Sequence, residues 1–122
     1  STWRYVKVVN TPVAVGELCS YDLTTLGKAH VRQSIAAAGP IAAIAGVAQH
    51  AIAVGSYGFI QIGGVGEMKT KGTPGSGTSL IDSDEVGESM AANDANEASI
   101  GMALDTGIDA TAVTCLITLN RQ

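Results

Sequence analysis

The side chains in this sequence best suited to binding a metal or moving a proton near neutral pH are His30, His50, Cys19 and Cys115. Neither histidine has a cysteine or carboxylate at ligand spacing, and no serine, threonine or cysteine stands beside a base that would activate it as a nucleophile. The cysteines lie far apart in apolar, strand-like surroundings. Two buried free thiols are the expected state, and a disulfide joining the two ends of the chain is the alternative. The run Gly72-Thr73-Pro74-Gly75-Ser76-Gly77-Thr78-Ser79 has the glycine spacing of a phosphate-binding loop. It carries Thr78 where that loop needs a lysine, so the backbone cradle lacks its cation. Asp82-Ser83-Asp84-Glu85 opens like a calcium loop, but Val86 and Asn93 occupy positions that need oxygen ligands, Asn93 in place of a bidentate glutamate. The expectation is a protein that is not an enzyme, with no catalytic residues, cofactor or metal.

Charge narrows the class further. The 122 residues carry a formal net charge of -4. Phosphate backbones are bound by clustered Lys and Arg, and no such stripe exists here, so a nucleic-acid partner is not expected. The charges are unevenly placed. Arg4, Lys7, Lys28 and Arg32 outnumber Glu17 and Asp22 in the first third, whereas Asp82, Asp84, Glu85, Glu88, Asp94, Glu97, Asp105 and Asp109 form a stretch without a base. Such halves can dock on each other or on a neighbour. Ile35 to Gly55 is apolar, but Gly39, Pro40, Gly46, Gln49 and His50 interrupt it, and no membrane partner is expected. The first nine residues lack the pattern of a secretory leader, so synthesis in the cytoplasm is expected.

The elements available to position these groups are strands. Trp3 to Val9 alternates, with Trp3, Tyr5, Lys7 and Val9 on one face and Arg4, Val6 and Val8 on the other. Lying before Thr11-Pro12, this segment is expected to be an N-terminal arm, residues 1–11, that pairs with a sheet edge of its own or a neighbouring subunit. Val13 to Tyr21 and Lys28 to Gln33 form an expected hairpin. Ile41 to Ala48, Tyr57 to Ile62 and Ala112 to Leu119 follow as strands, the last with a central place in the sheet. The Gly/Ser/Thr segment 72–79 is expected to be an exposed loop, and Asp84 to Ser99, with Val86 and Met90 four apart, to hold a short helix. Ile44-Ala45-Gly46-Val47-Ala48 is echoed by Ser99-Ile100-Gly101-Met102-Ala103, each followed by a turn and a strand, which points to a pseudo-duplicated barrel. The apolar fraction is 46% but the aromatic share only 4%, so the core is built from small side chains, and subunit or partner contacts are expected to contribute stability.

Ile44 to Ala48, then Ile52-Ala53-Val54-Gly55-Ser56-Tyr57-Gly58-Phe59-Ile60-Gln61-Ile62-Gly63, resembles the core signature of the decoration (cement) proteins of tailed-bacteriophage capsids. Ile100-Gly101-Met102-Ala103-Leu104 with Ala112 to Leu119 resembles their closing segment and final strand. The resemblance implies an all-β fold, a small β-barrel or β-sandwich-like domain over residues 12–122, from which the segment at about 65–99 departs as a loop insertion longer than a minimal barrel needs. It also implies a structural protein on the outer capsid surface of the virion, a homotrimer that binds the major capsid protein and stabilises the mature lattice. Trp3, Arg4, Tyr5 and Lys7 are the expected partner-binding residues, because aromatic anchors dominate interface energies; the other reading of Trp3 and Tyr5 is that they simply cover the open end of the barrel. The alternative is a head-fibre module or one that binds carbohydrate or a receptor.

Overall fold

The computed structural model describes residues 1–21, 30–34, 44–83, 87–91 and 99–119. Among them the regular structure is entirely β, with strands β1 (Thr2–Val8), β2 (Leu18–Tyr21), β3 (His30–Gln33), β4 (Ile44–Ala48), β5 (Tyr57–Thr70), β6 (Ser79–Asp82), β7 (Ser89–Ala91), β8 (Gly101–Ala103) and β9 (Thr111–Ile117). Strands β1, β3, β2, β4 and β5 pair in that order, and β1 returns to β5, which closes a five-stranded barrel. The β1–β3 pair is parallel and the others are antiparallel. A closed ring leaves no unpaired strand edge.

β5 is fourteen residues long because it serves twice. Its first half completes the barrel, and its second half, Gly64 to Thr70, pairs with β9 and begins the series β5-β9-β8-β6-β7. This second series curls back on itself: the Lys71 N–H donates to Ser89 O at 2.7 Å and the Ser89 hydroxyl to Lys69 O at 3.0 Å. The two units repeat each other bond for bond. Gly16 N–H to Ala48 O and Gly77 N–H to Ala103 O are both 2.7 Å. Ala48 N–H to Glu17 O and Ala103 N–H to Thr78 O are 3.0 and 2.9 Å. Gly55 N–H to Val8 O and Ala110 N–H to Thr70 O are 2.8 and 2.7 Å. The repeat is visible in the backbone of the turns as well. Gly16 and Gly77 have φ of 82° and 85°, a region in which an L side chain is strained.

Alternation along the strands fills two cores. Val6, Val8, Val13, Cys19, Val31, Ala45, Ala48, Ile52 and Ile60 fill the first barrel, with Tyr21 packed against them. Met68, Leu80, Ile100, Ala103, Val113, Cys115 and Ile117 fill the second unit, joined by Leu18 and Val47 from strands of the first. Those two residues weld the units together, because each would lose its burial if the units separated.

Several expectations take a different form in the structure. The segment read as an arm is β1, paired with β5 of its own chain from Thr2↔Gly63 to Lys7↔Tyr57. The region 65–99, read as a loop insertion, contains the second half of β5, all of β6 and β7, and residues outside the description. Met90, expected on a helix, lies in β7, where Ile81↔Met90 pairing satisfies its backbone across the sheet. Residues 84–86 and 92–98 of that expected helix, the hairpin turn at 22–27 and residues 35–43 lie outside the described residues. The glycine-rich segment is a loop, but not a free one: Pro74 is buried and its carbonyl accepts from Gly107 N–H at 2.7 Å. Among the described residues no helix is long and apolar enough to cross a membrane.

A buried carboxylate joins the units on one side. Glu17 Oε1 accepts from the Ala14 N–H at 2.8 Å, and Oε2 accepts from Gln33 Nε2 at 2.7 Å and lies 3.4 Å from Lys69 Nζ. Lys69 is partly open to water, so the ion pair is screened and the neutral donors carry most of the effect. Glu17→Ala leaves the Ala14 N–H and the Gln33 amide without their acceptor, and is expected to lower stability by about 2 kcal/mol. The midpoint of urea unfolding measures the loss, and an unchanged midpoint would contradict it.

Candidate functional site

Cys19 and Cys115 are both buried and free. Burial, together with the nearby Glu17 carboxylate, pushes the Cys19 thiol up to about 12 from 9.0, and burial pushes Cys115 up to about 11. Such thiols are poor nucleophiles at neutral pH. The folded chain holds these protons more tightly than the unfolded chain does. The thiols therefore favour folding fully below pH 9.0, and that contribution is lost as the pH climbs through about 11 and 12. Two results are expected: native protein ignores a disulfide reagent at neutral pH, and its urea midpoint falls across the alkaline window. Cys19→Ala flattens that fall. Rapid labelling of folded protein would contradict this account.

The histidines stand apart in the fold. His30 is half-buried on β3, while His50 is exposed in the turn after β4, its Nδ1 lying 3.2 Å from Ala51 O. Among the described residues no group of three or more His, Cys, Asp or Glu side chains is placed to hold a metal. Of the calcium-like run, residues 84–86 lie outside the description.

The conspicuous surface feature is aromatic. Antiparallel pairing of β1 with β5 sets Tyr5 opposite Phe59 and Lys7 opposite Tyr57. Because Val6, Val8 and Ile60 point into the barrel, Trp3, Tyr5, Tyr57 and Phe59 must point out, and each is between 45% and 58% exposed. Tyr5 stacks on Tyr57 at a centroid distance of 5.6 Å and an interplanar angle of 13°, and meets Phe59 at 5.0 Å. The Lys7 ammonium sits 5.7 Å from the centre of the Tyr57 ring, and the Arg4 guanidinium 5.7 Å from that of Tyr21. Trp3, Phe59 and His50 line an open, almost wholly apolar depression of about 430 Å³. Four of the five aromatic residues in the chain therefore form one outward face, with Lys7 over one end of it.

Sequence reading placed Trp3, Tyr5 and Lys7 on a common face and set Arg4 on the other. The structure agrees with that alternation and adds Tyr57, Phe59 and His50. Tyr57 and Phe59 had a signal in the alternation of β5. What the sequence did not contain was the register that brings β5 beside β1. Gln61, which shares their parity, is buried instead: its amide donates to Gly63 O at 3.0 Å and Val65 O at 3.1 Å, where Gly64 (φ 98°) breaks the regular strand.

The fold has a counterpart among solved structures. The crystal structure of the head fiber gp8.5 N base of bacteriophage phi29 superposes with a TM-score of 0.68 over 96% of this chain and 93% of that one. Sequence identity across the match is 17%, so the likeness is one of fold. No family model matches the sequence, and no curated protein is significantly similar to it.

Proposed function

We propose that this protein is a structural component of a phage head, seated on the outer capsid surface and bracing the major capsid protein lattice. The observation that carries this reading is the fold it shares, over nearly the full length of both chains, with the base of a phage head fibre. The sequence resemblance of Ile44 to Gly63 to capsid decoration proteins points the same way. The exposed face of Trp3, Tyr5 and Lys7, extended by Tyr57 and Phe59, is the partner-binding surface, with Arg4 contributing from the other face of β1, where it lies beside Tyr21. Large amphipathic rings give much contact area at little cost in side-chain freedom, and patches of this kind on an otherwise aromatic-poor surface mark interfaces. The role is mechanical and needs no catalyst: a protein that binds only the expanded lattice stabilises it by mass action, and many weak contacts sum over the shell.

The test is co-sedimentation of purified protein with expanded and unexpanded empty capsids of the source phage. Saturable binding to expanded shells alone, together with a higher temperature of genome release from DNA-filled heads that carry the protein, supports the decoration role. Binding to neither shell rejects a capsid role. The likeness to a fibre base favours a second reading, in which the barrels anchor a projecting fibre. Under that reading the protein saturates at few sites per shell and leaves the release temperature unchanged.

A further inference from the structure

The repeat sets each surface of the second unit beside a counterpart on the first. Ser20↔Arg32 corresponds to Ile81↔Met90, Val47↔Gln61 to Met102↔Leu116, and Trp3↔Gln61 to Val65↔Leu116. These side chains point away from their own barrel, because strand neighbours such as Val31, Ile60, Leu80, Ala103 and Cys115 point into it. On the first unit the row is covered. Val47 enters the second core, and the Gln61 side chain lies against Gly66, so closely that a Cβ there would meet it. On the second unit the row is Val65, Leu116, Met102, Ile81 and Met90, none of them fully buried, with Val65 59% exposed. The expected polarity is inverted: the covered row contains Gln61, Ser20 and Arg32, and the uncovered one replaces all three with apolar side chains. Five such side chains in one row across five strands mark an interface, and the two methionines suit it to a partner's contour.

The molecule itself displays what covers such a row: another unit of the same fold, laid on by its first strand. Gly66 meets Gln61, Glu67 N–H donates to Gln49 Oε1 at 2.9 Å, Lys69 N–H donates to Gly16 O at 2.7 Å, and Ala112 lies against Gly16. The counterparts of these four residues on the first unit are Arg4, Tyr5, Lys7 and Tyr57. We propose that the apolar row of the second unit is covered by the first unit of a second copy, presented by the side that carries Arg4, Tyr5, Lys7 and Tyr57. Within one chain Gly16 and Leu18 reach between β5 and β7, through Lys69 N–H to Gly16 O and Leu18 N–H to Gly87 O, whereas β1 and β3 pair directly at Lys7↔His30. The contact between copies is therefore one of side chains, the tyrosine rings and the arginine stem against Leu116 and Met102, without strand insertion. The two surfaces lie on different units, so the contact is heterologous, and a series of copies closes into a ring or runs on. The inference rests on the partner-surface reading above and deepens it, giving the Arg4 to Lys7 side to a neighbouring copy and leaving Trp3 and Phe59 to the capsid. It is tested without capsids, so that the two fail separately.

The experiment is sedimentation velocity on the purified protein across a roughly 100-fold range of concentration. Wild-type protein is expected to show a concentration-dependent rise in sedimentation coefficient that persists at high salt, because the row is apolar. Leu116→Asp, on the row, and Tyr57→Asp, on the side that covers it, are each expected to sediment as monomers, with thermal unfolding verifying that each keeps its fold. Leu116→Gln installs the uncharged residue type of the covered counterpart and is expected to weaken association in the same direction, which separates loss of contact from loss of fold. The decisive sample is an equal mixture of the two aspartate variants. One intact row and one intact covering side remain, so the mixture is expected to form a dimer and nothing larger. If Tyr57→Asp associates as wild type does while Leu116→Asp does not, the row pairs with something other than this side and the proposal falls. A monomeric wild type, or a mixture that stays monomeric, would also overturn it. Capsid binding by a strictly monomeric wild type would overturn it while leaving the structural role intact.

Discussion

Trp3→Ala is expected to lower retention on expanded capsids by at least about 30-fold, the equivalent of losing one interface anchor worth about 2 kcal/mol. The indole is 45% exposed and sits on a barrel strand whose inward residues, Val6 and Val8, remain buried when it is truncated. Loss of binding is therefore expected without loss of fold. Phe59→Ala on the neighbouring strand is expected to act in the same direction, and the double variant to cost less than the sum, because both rings line one depression. Wild-type retention by Trp3→Ala would remove this face from the functional site. The measurement is the free concentration at half-saturation in co-sedimentation, with the urea midpoint of each variant as the control for folding.

The largest loss of stability is expected from Gly101→Ala, a change of one methyl group. β8 approaches β9 so closely that a Cβ at Gly101 would fall inside the van der Waals surface of the Leu116 carbonyl oxygen, with the Met68 methyl 3.2 Å away on another side. A backbone carbonyl in a paired strand cannot rotate aside, so β8 must shift from the sheet and the second core opens with it. The expected cost is about 3 kcal/mol or more, which for a domain of this size lowers the unfolding temperature by about 10 °C. At Gly46, the matching position in the first unit, the added methyl meets the flexible end of Ile60 at 2.8 Å and Gln61 O at 3.0 Å, and a smaller loss is expected. Gly75→Ala, whose Cβ would meet only Thr78 Oγ1 at 3.6 Å, is expected to leave stability within about 0.5 kcal/mol of wild type. Calorimetry on the three variants checks the order, and equal unfolding temperatures for Gly101→Ala and Gly75→Ala would contradict it.

The two predictions rest on features that the sequence revealed unequally. The short echo between Ile44–Ala48 and Ser99–Ala103 contained the plan of the molecule, because corresponding strands and turns face the same packing problem and keep the same residue types. It ran further than its motif. Thr11-Pro12 precedes the left-handed Gly16 and Thr73-Pro74 the left-handed Gly77, each just ahead of a strand paired on both sides, β2 and β6. Ala110, at φ 57°, holds the position of Gly55 at φ 86°, so there the residue type concealed the repeat while the backbone kept it. The short strands β6, β7 and β8 were harder to read, because three or four residues contain too few alternations to display a period.

By itself the sequence determined that the described chain is all-β, that Val6 and Val8 turn inward while Trp3 and Tyr5 turn outward, and that charge divides between its two ends. These are local properties. Side-chain alternation has a fixed period of two along any strand, and charge is a matter of composition. The tertiary structure alone decided that β1 closes a barrel rather than reaching out as an arm, that β5 belongs to two units, and that Tyr57 and Phe59 lie beside Tyr5 and Trp3. Those facts depend on register between segments about fifty residues apart, and no local pattern fixes register: a slip of two residues would keep every face correct and still scatter the aromatic site.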